Sequence, residues 1–193
     1  MQPTHLTELL QQLFGEAVTA NPPETWQVET PEFRLLLLLS ANQTWLRVLL
    51  PLVPASEVQS IVDLLLQANF DQTHECRYAL HEGVIWGVFQ HPLASLQASD
   101  LEGAIATLVN LQRRGFGQFY QQLIEQRLRS LVQIAQQQGQ SLEQTLQTLE
   151  RFYEEGVLGD LGQGASSREA SLAAWRNQLE RLWPELEGQA RAD

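Results

Sequence analysis

Residues 33 to 52 read FRLLLLLSANQTWLRVLLPL, and the leucine run at 35–39 constrains the fold more than any other stretch. A membrane-spanning helix needs roughly 18 or more consecutive apolar residues. Here Ser40, Asn42, Gln43, Arg47 and Pro51 follow at once, so no membrane role is expected. The stretch reads instead as two strands, 33–39 and 44–52, joined by a turn at SANQ. Successive residues of a strand point to opposite faces, so a strand of leucines is apolar on both and has to be covered from both sides.

A two- or four-residue loop centred on Ala41-Asn42 pairs Leu39 with Thr44, Leu37 with Leu46, Leu35 with Val48 and Phe33 with Leu50. That face is almost wholly apolar. The other carries Arg34 against Leu49, Leu36 against Arg47 and Leu38 against Trp45. A slip of one residue would mix the two sets. A second hairpin turns at Glu82-Gly83, where glycine tolerates positive φ. It pairs Leu80 with Ile85, Tyr78 with Gly87 and Cys76 with Phe89 on one face, and Ala79 with Trp86, Arg77 with Val88 and His81 with Val84 on the other. Gly87 leaves space that the Tyr78 ring is expected to fill.

The remaining elements are read from helical spacing and caps. THLTELLQQLFG is a helix with Thr4 as its cap and Gly15 at its end, NPPETW is a loop, and Trp26 and Val28 mark a short strand. PASEVQSIVDLLLQANF is a helix with a Ser56–Gln59 capping box and an apolar face of Val58, Ile61, Val62, Leu65 and Leu66. A long helix starts at Ser99 with Glu102 completing its box, and Gly115 and Gly117 are points where it can break. Ser141 with Gln144 caps a fourth helix carrying Leu142, Leu146, Leu149, Phe152 and Tyr153. GVLGDLGQG reads as a linker, and Ser166 with Glu169 caps a last helix bearing Leu172, Trp175, Leu179, Leu182 and Trp183 up to Pro184. Trp175 and Trp183 are expected to pack onto the protein.

The expected fold is thus α+β: an antiparallel sheet of about five strands in the order α-β-β-β-α-β-β-α with helices packed on it, plus two extra C-terminal helices. Residues 1–138 are expected to form the α+β domain and 139–193 a C-terminal helical extension. The second sheet face carries Leu36, Leu38, Trp45, Leu49, Val84, Trp86 and Val88. Burying one such side chain is worth roughly 1.5–3 kcal/mol, so exposing all of them would forgo roughly 10–20 kcal/mol. That rivals a domain's net stability of about 5–15 kcal/mol. These residues are therefore the candidate partner-binding or dimer face, covered by the C-terminal helices, a second copy of the chain or a client segment.

The element order, LLLQANF closing the middle helix, RYALHEGVIWGVFQHPL, and the helix start LQASDLEGAIATL together resemble the YbjN-like and type III secretion chaperone-like (CesT-type) family. Asn69-Phe70, Gly83, Trp86 and the span from Leu96 to Leu101 match that layout, over about residues 4–125. The resemblance implies a small acidic protein, usually a homodimer, that binds an extended segment of another protein without ATP. The tail from 126 to 193 departs from it.

The chemistry in the chain is sparse. With a net charge of −11 and 12 basic residues, all arginine, no nucleic-acid partner is expected. RGFGQFY at 114–120 starts like an RNA-binding RNP1 strand, but Gln118 stands where an aromatic belongs and the surroundings are helical. Its aromatics Phe116, Phe119 and Tyr120 are expected to pack inward. Cys76 is the sole cysteine, which fits a reduced, cytoplasmic compartment, and it is assigned to the core. MQPTHLTELLQQLFGE lacks the features of a secretory signal.

His74, Cys76 and His81 match no zinc spacing, and Glu154, Glu155 and Asp160 have no partner base, so they read as a solvated acidic surface. No P-loop, G-x-S-x-G or H-E-x-x-H occurs. Catalytic residues, metal ligands and cofactors are therefore expected to be none, and the chain is read as a non-catalytic interaction or chaperone-like protein. Its partner is expected to be another protein or a second copy of itself, in a homodimer. Two other readings stay open from the residues alone. One is a small-ligand protein or enzyme with a site between the sheet and the C-terminal helices. The other is a structural scaffold subunit whose tail seals the sheet.

Overall fold

The computed structural model describes residues 1–21, 25–154 and 165–190. In chain order the elements are α1 (Pro3–Phe14), β1 (Val18–Asn21), β2 (Thr25–Glu29), β3 (Arg34–Leu39), β4 (Trp45–Pro54), α2 (Val62–Ala68), β5 (Cys76–His81), β6 (Val84–Pro92), α3 (Ala98–Arg114), α4 (Gly117–Gln137), α5 (Leu142–Glu154) and α6 (Ala165–Ala190). They divide into two compact units, Met1–Phe119 and Tyr120–Asp193. The first is α+β, built on an antiparallel sheet of six strands in the order β1-β2-β3-β4-β6-β5. The strand beyond the expected five is β1, a short edge piece, and the expected strand at Trp26 is β2. Pro22, Pro23 and Glu24 of the expected loop lie outside the described residues.

The leucine hairpin forms, with its faces as expected and its pairing shifted. Leu36 pairs with Leu49, Leu37 with Val48, Leu38 with Arg47 and Leu39 with Leu46. The expected partners are each displaced by two positions. Two is the side-chain period of a strand, so the displacement leaves both faces intact. Its cause lies in the turn. The Ser40 N–H donates to the Trp45 carbonyl at 3.0 Å, so the loop is the four residues Ala41–Thr44. The Ser40 hydroxyl oxygen accepts from the backbone N–H groups of Thr44 (3.0 Å) and Trp45 (3.2 Å). Asn42 Oδ1 in turn accepts from the hydroxyls of Ser40 and Thr44, both at 2.8 Å. Gln43 takes the left-handed conformation, φ 53°, that closes the loop.

The β5–β6 hairpin keeps every expected pair, from Cys76–Phe89 to His81–Val84. Glu82 and Gly83 both have positive φ, 48° and 74°, as a tight two-residue turn requires. Gly87 serves a different neighbour from the one expected. A Cβ there would lie 3.0 Å from Leu108 Cδ2, so the missing side chain admits α3.

One face of the sheet carries the core. Trp26, Val28, Leu35, Leu37, Leu46, Val48, Leu50 and Phe89 are fully enclosed, as are Leu6 and Leu10 of α1. α3 packs on β4, β5 and β6 through Leu101, Ala104, Ile105 and Leu108. Trp26 Nε1 donates to Thr7 Oγ1 at 2.8 Å, tying β2 to α1. Thr4 lies inside α1 and caps nothing; Gln2 is the N-cap and Pro3 the first helical residue, where its missing N–H costs no bond.

Two other caps move. The Ser56–Gln59 box does not form: residues 55–57 and 59–61 are 3₁₀ turns and α2 is short. In a 3₁₀ turn residues three apart eclipse, which aligns Val58 and Ile61 toward the core. Leu64, Leu65 and Ala68 continue that face, while Val62 is half-buried and Leu66 is exposed. α3 starts one residue before Ser99, and its box closes through Asp100, whose carboxylate accepts from the Gln97 N–H at 2.9 Å. It ends at Arg114 because Gly115 turns with φ 60°, and α4 begins at Gly117. Phe116 and Phe119 then pack against the Tyr78 ring.

In the second unit, Leu128 and Val132 of α4 form a buried cluster with Leu179, Leu182 and Leu186 of α6. Trp175 and Trp183 pack half-buried against it. The Ser141–Gln144 box caps α5 through reciprocal bonds of 2.9 and 3.2 Å. α6 runs past Pro184 to Ala190 rather than ending there. The GVLGDLGQG linker, Glu155, Asp160 and the side chains of Ser166, Glu169, Leu172, Leu149, Phe152 and Tyr153 lie outside the described residues.

Asn69 makes two bonds to one backbone position of β5: its Nδ2 donates to the Tyr78 carbonyl at 3.1 Å, and its Oδ1 accepts from the Tyr78 N–H at 2.8 Å. Asn69→Ala leaves both groups unpaired on an edge strand. A loss of roughly 1–3 kcal/mol is expected in urea unfolding; an unchanged midpoint would contradict the clamp.

Candidate functional site

The outer face of the sheet opposes the helix-packed core. Strand alternation and the observed register place its side chains in cross-strand rows. The central row runs Thr19, Gln27, Leu36, Leu49, Val88, Arg77 across all six strands. Its middle is apolar and its ends are polar. On one side lies the row Asn21, Thr25, Leu38, Arg47, Gln90. On the other, Pro51, Trp86 and Ala79 are neighbours. A bulge between Pro51 and Val53 follows, after which Val84 sits between Pro54 and His81.

Of the seven candidate residues, Leu36, Leu49 and Val88 are thus direct neighbours, with Leu38 and Trp86 one row away on either side. Trp45 is removed from Leu38, its expected partner, and pairs with Pro92 near the end of the sheet. Val88 is buried by its neighbours; the other six are half-buried. Leu38, Leu49, Trp86 and Val88 line a depression of about 430 Å³ together with Arg47, Arg77, Ala79 and His81. Leu36, Trp45 and Val84 lie outside that lining. All of the lining residues are on strands β3 to β6.

Arg47 and Arg77 are the residues that a search for apolar positions misses. Arg47 Nε and Nη2 donate to Gln90 Oε1 at 3.1 and 2.8 Å, and its Cζ lies 4.9 Å from the Trp45 ring centre. Trp86 Nε1 donates to the His81 carbonyl at 3.2 Å, which fixes the indole over the turn. The only acidic side chain on the described strands, Glu29, is held 2.8 Å from Arg34 Nε.

A second concavity of about 660 Å³ lies in the helical unit, between α4 and α5. Leu123, Leu131, Ile134 and Ala135 line it, and Arg127 is its only charged lining residue among the described ones. Among the described residues its lining includes no carboxylate, imidazole or thiol.

The other chemistry-bearing residues are dispersed. Among the described residues no group of three His, Cys, Asp or Glu side chains could hold a metal ion. His74 is in the turn before β5, with φ 52°, and does not share a strand face with Cys76. Cys76 is in the core, its Sγ–H donating to the Ala104 carbonyl at 3.6 Å. Burial pushes its thiol from 9.0 up to about 12; Glu75 adds to the rise and Arg77 opposes it. Burial also raises Tyr78, against the opposing charge of Arg114. A thiol held protonated is a poor nucleophile. Among the described residues no helix is long and apolar enough to cross a membrane.

No family model and no curated protein matches the chain. It is similar to solved structures at low identity. The crystal structure of the ExsC–ExsE complex has a TM-score of 0.47 and 19% identity, covering 58% of this chain and 96% of that one. The HopA1–SchA chaperone–effector complex has a TM-score of 0.46 and 18% identity, covering 57% and 88%. The Yersinia pestis type III secretion chaperone SycH, in complex with a stable fragment of YscM2, has a TM-score of 0.46 and 16% identity, covering 58% and 97%.

The raised Cys76 and Tyr78 groups make stability pH-dependent. Below about pH 9 both states keep the thiol proton; between about 9 and 12 the unfolded chain releases a proton that the folded one retains. Stability is therefore full at neutral pH and falls as the pH climbs through that window. Urea midpoints at about pH 7.5 and about pH 10 should show the fall, and Cys76→Ala should lessen it. An equal fall in the variant would contradict the assignment.

Proposed function

We propose that the outer sheet face binds an extended segment of another protein, the chain acting as a non-catalytic, chaperone-like interaction protein in a homodimer. The observation that supports this reading is the apolar row Leu36–Leu49–Val88 with Leu38 and Trp86 beside it, all but Val88 half-exposed and all but Leu36 lining a surface depression. Completing the burial of such side chains is favourable in proportion to the apolar area covered, at roughly 25 cal/mol per Å². Partner binding supplies that cover without any catalytic group. The family resemblance read from residues 4–125 points to the same kind of protein.

The sheet edge favours binding on the face over strand addition at β5. An open edge would offer unpaired N–H and C=O groups to an incoming strand. At Tyr78 both are already engaged by Asn69.

For the dimer contact we assign the flank where α2 meets β5. Leu66, Phe70 and Leu80 are 59%, 95% and 61% exposed there, although Leu80 lies on the core-side parity of its strand. Its edge position leaves it uncovered. Sedimentation velocity should show a dimer for the wild type and a monomer for Phe70→Glu with Leu80→Glu. A strictly monomeric wild type would contradict the dimer.

The partner face has its own test. A pull-down from native lysate should retain a protein on the wild type that Trp45→Glu with Trp86→Glu fails to retain, with unchanged circular dichroism. Equal retention by the folded variant would move the binding surface elsewhere.

A further inference from the structure

The outer face has a charge pattern opposite to that of the chain. Acidic residues outnumber basic ones 23 to 12 overall. The described strands reverse this, with Arg34, Arg47 and Arg77 against Glu29 alone. Glu29 is neutralised by Arg34 at 2.8 Å and also accepts from the Gln27 amide at 2.8 Å. Among the described residues no carboxylate forms an ion pair with Arg47 or Arg77, and both line the apolar depression.

Their placement is specific. Arg77 is next to Val88 in the central row, and Arg47 is next to Leu38 in the adjacent row. The two cations therefore stand on different strands, β4 and β5, with Val88 and Gln90 of β6 between them. Arg47 is also oriented in advance: Gln90 takes one N–H each from Nε and Nη2, and the Trp45 ring supports the guanidinium. A guanidinium has five N–H groups, so the rest remain available to a carboxylate. Arginine over a low-dielectric apolar floor favours carboxylate recognition by paired, charge-assisted hydrogen bonds.

Resting on the protein-binding reading above, we propose that this face selects an extended segment of a partner protein that carries Asp or Glu beside large apolar side chains on the same pleat. The apolar residues enter between Leu38, Leu49 and Trp86, and the carboxylates meet Arg47 and Arg77. A second copy of the chain is a poor occupant. Face to face, it would bring the same two arginines and no free strand carboxylate, setting like charges against each other.

The test uses the full chain and fluorescein-labelled peptides of three Ser-Leu-Ser-Glu repeats, with matching Ser-Leu-Ser-Gln and Ser-Leu-Ser-Lys peptides. In an extended peptide the leucine and the charged residue share one face. Fluorescence anisotropy should give binding of the glutamate peptide about tenfold tighter than the glutamine one, and none of the lysine one. Raised salt should shrink that preference. Arg47→Gln with Arg77→Gln should abolish it, so that the glutamate and glutamine peptides bind alike, whereas Arg47→Lys with Arg77→Lys should retain part of it.

Equal binding of the glutamate and glutamine peptides, both lost in Trp86→Ser, would overturn the acidic selection and leave the protein-binding reading standing. No binding of any peptide would overturn both. Displacement of the glutamate peptide by a thymidine dodecamer would assign the arginines to nucleic acid. Loss of peptide binding as the protein is concentrated into its dimer would assign the face to a second copy. Each of these last two results also contradicts the proposal.

Discussion

The structure depends on one constraint, the two-residue period of the strand hairpin from Arg34 to Pro54. Leu35, Leu37 and Leu39 point one way and meet the helices; Leu36 and Leu38 point the other way and remain apolar. The first set builds a core that is enclosed from Leu6 in α1 to Leu108 in α3. The second set gives the sheet a surface that folding leaves half-covered. The same five leucines thus supply the fold and the candidate site, and neither can change by one position without disturbing the other.

The faces were legible in the sequence and the pairing was not. Face membership follows parity alone, so Leu36, Leu49 and Val88 share one side both in the expected register and in the one formed, which differ by two positions. The register was decided by Ser40, whose backbone and hydroxyl close a four-residue loop against Trp45. Composition at SANQ permits both a loop centred on Ala41-Asn42 and the one formed. The β5–β6 hairpin was legible in full because Glu82-Gly83 admits one short turn strongly. The capping motifs divided similarly. Ser141–Gln144 formed, but Ser56–Gln59 lost to a 3₁₀ arrangement that buries Val58 and Ile61. There, tertiary burial outweighed a local hydrogen-bond pattern. β1 carries Val18-Thr19-Ala20-Asn21, too short and too weakly alternating to be recognised without β2 beside it.

The charged part of the site escaped a reading organised around apolar residues. Arg47 and Arg77 lie on the parity that carries Leu49 and Val88, and the near-absence of Asp and Glu from the strands was available in the sequence. In a chain of net charge −11, a sheet with three arginines and one paired glutamate is a departure from composition, and bulk charge concealed it. Cys76 shows the reverse. Its burial was legible from hairpin parity, and the enclosure that makes it a core residue also raises its pKa and removes it from chemistry.

The central claim is that the two leucine sets of one hairpin face different surroundings, and it can be measured directly. In a leucine-methyl-labelled sample, a soluble gadolinium chelate broadens resonances according to their access to solvent. The account predicts strong broadening for Leu36, Leu38 and Leu49 and little for Leu35, Leu37 and Leu46. Equal protection of both sets would mean that the outer face is sealed, and would contradict its assignment as a binding surface.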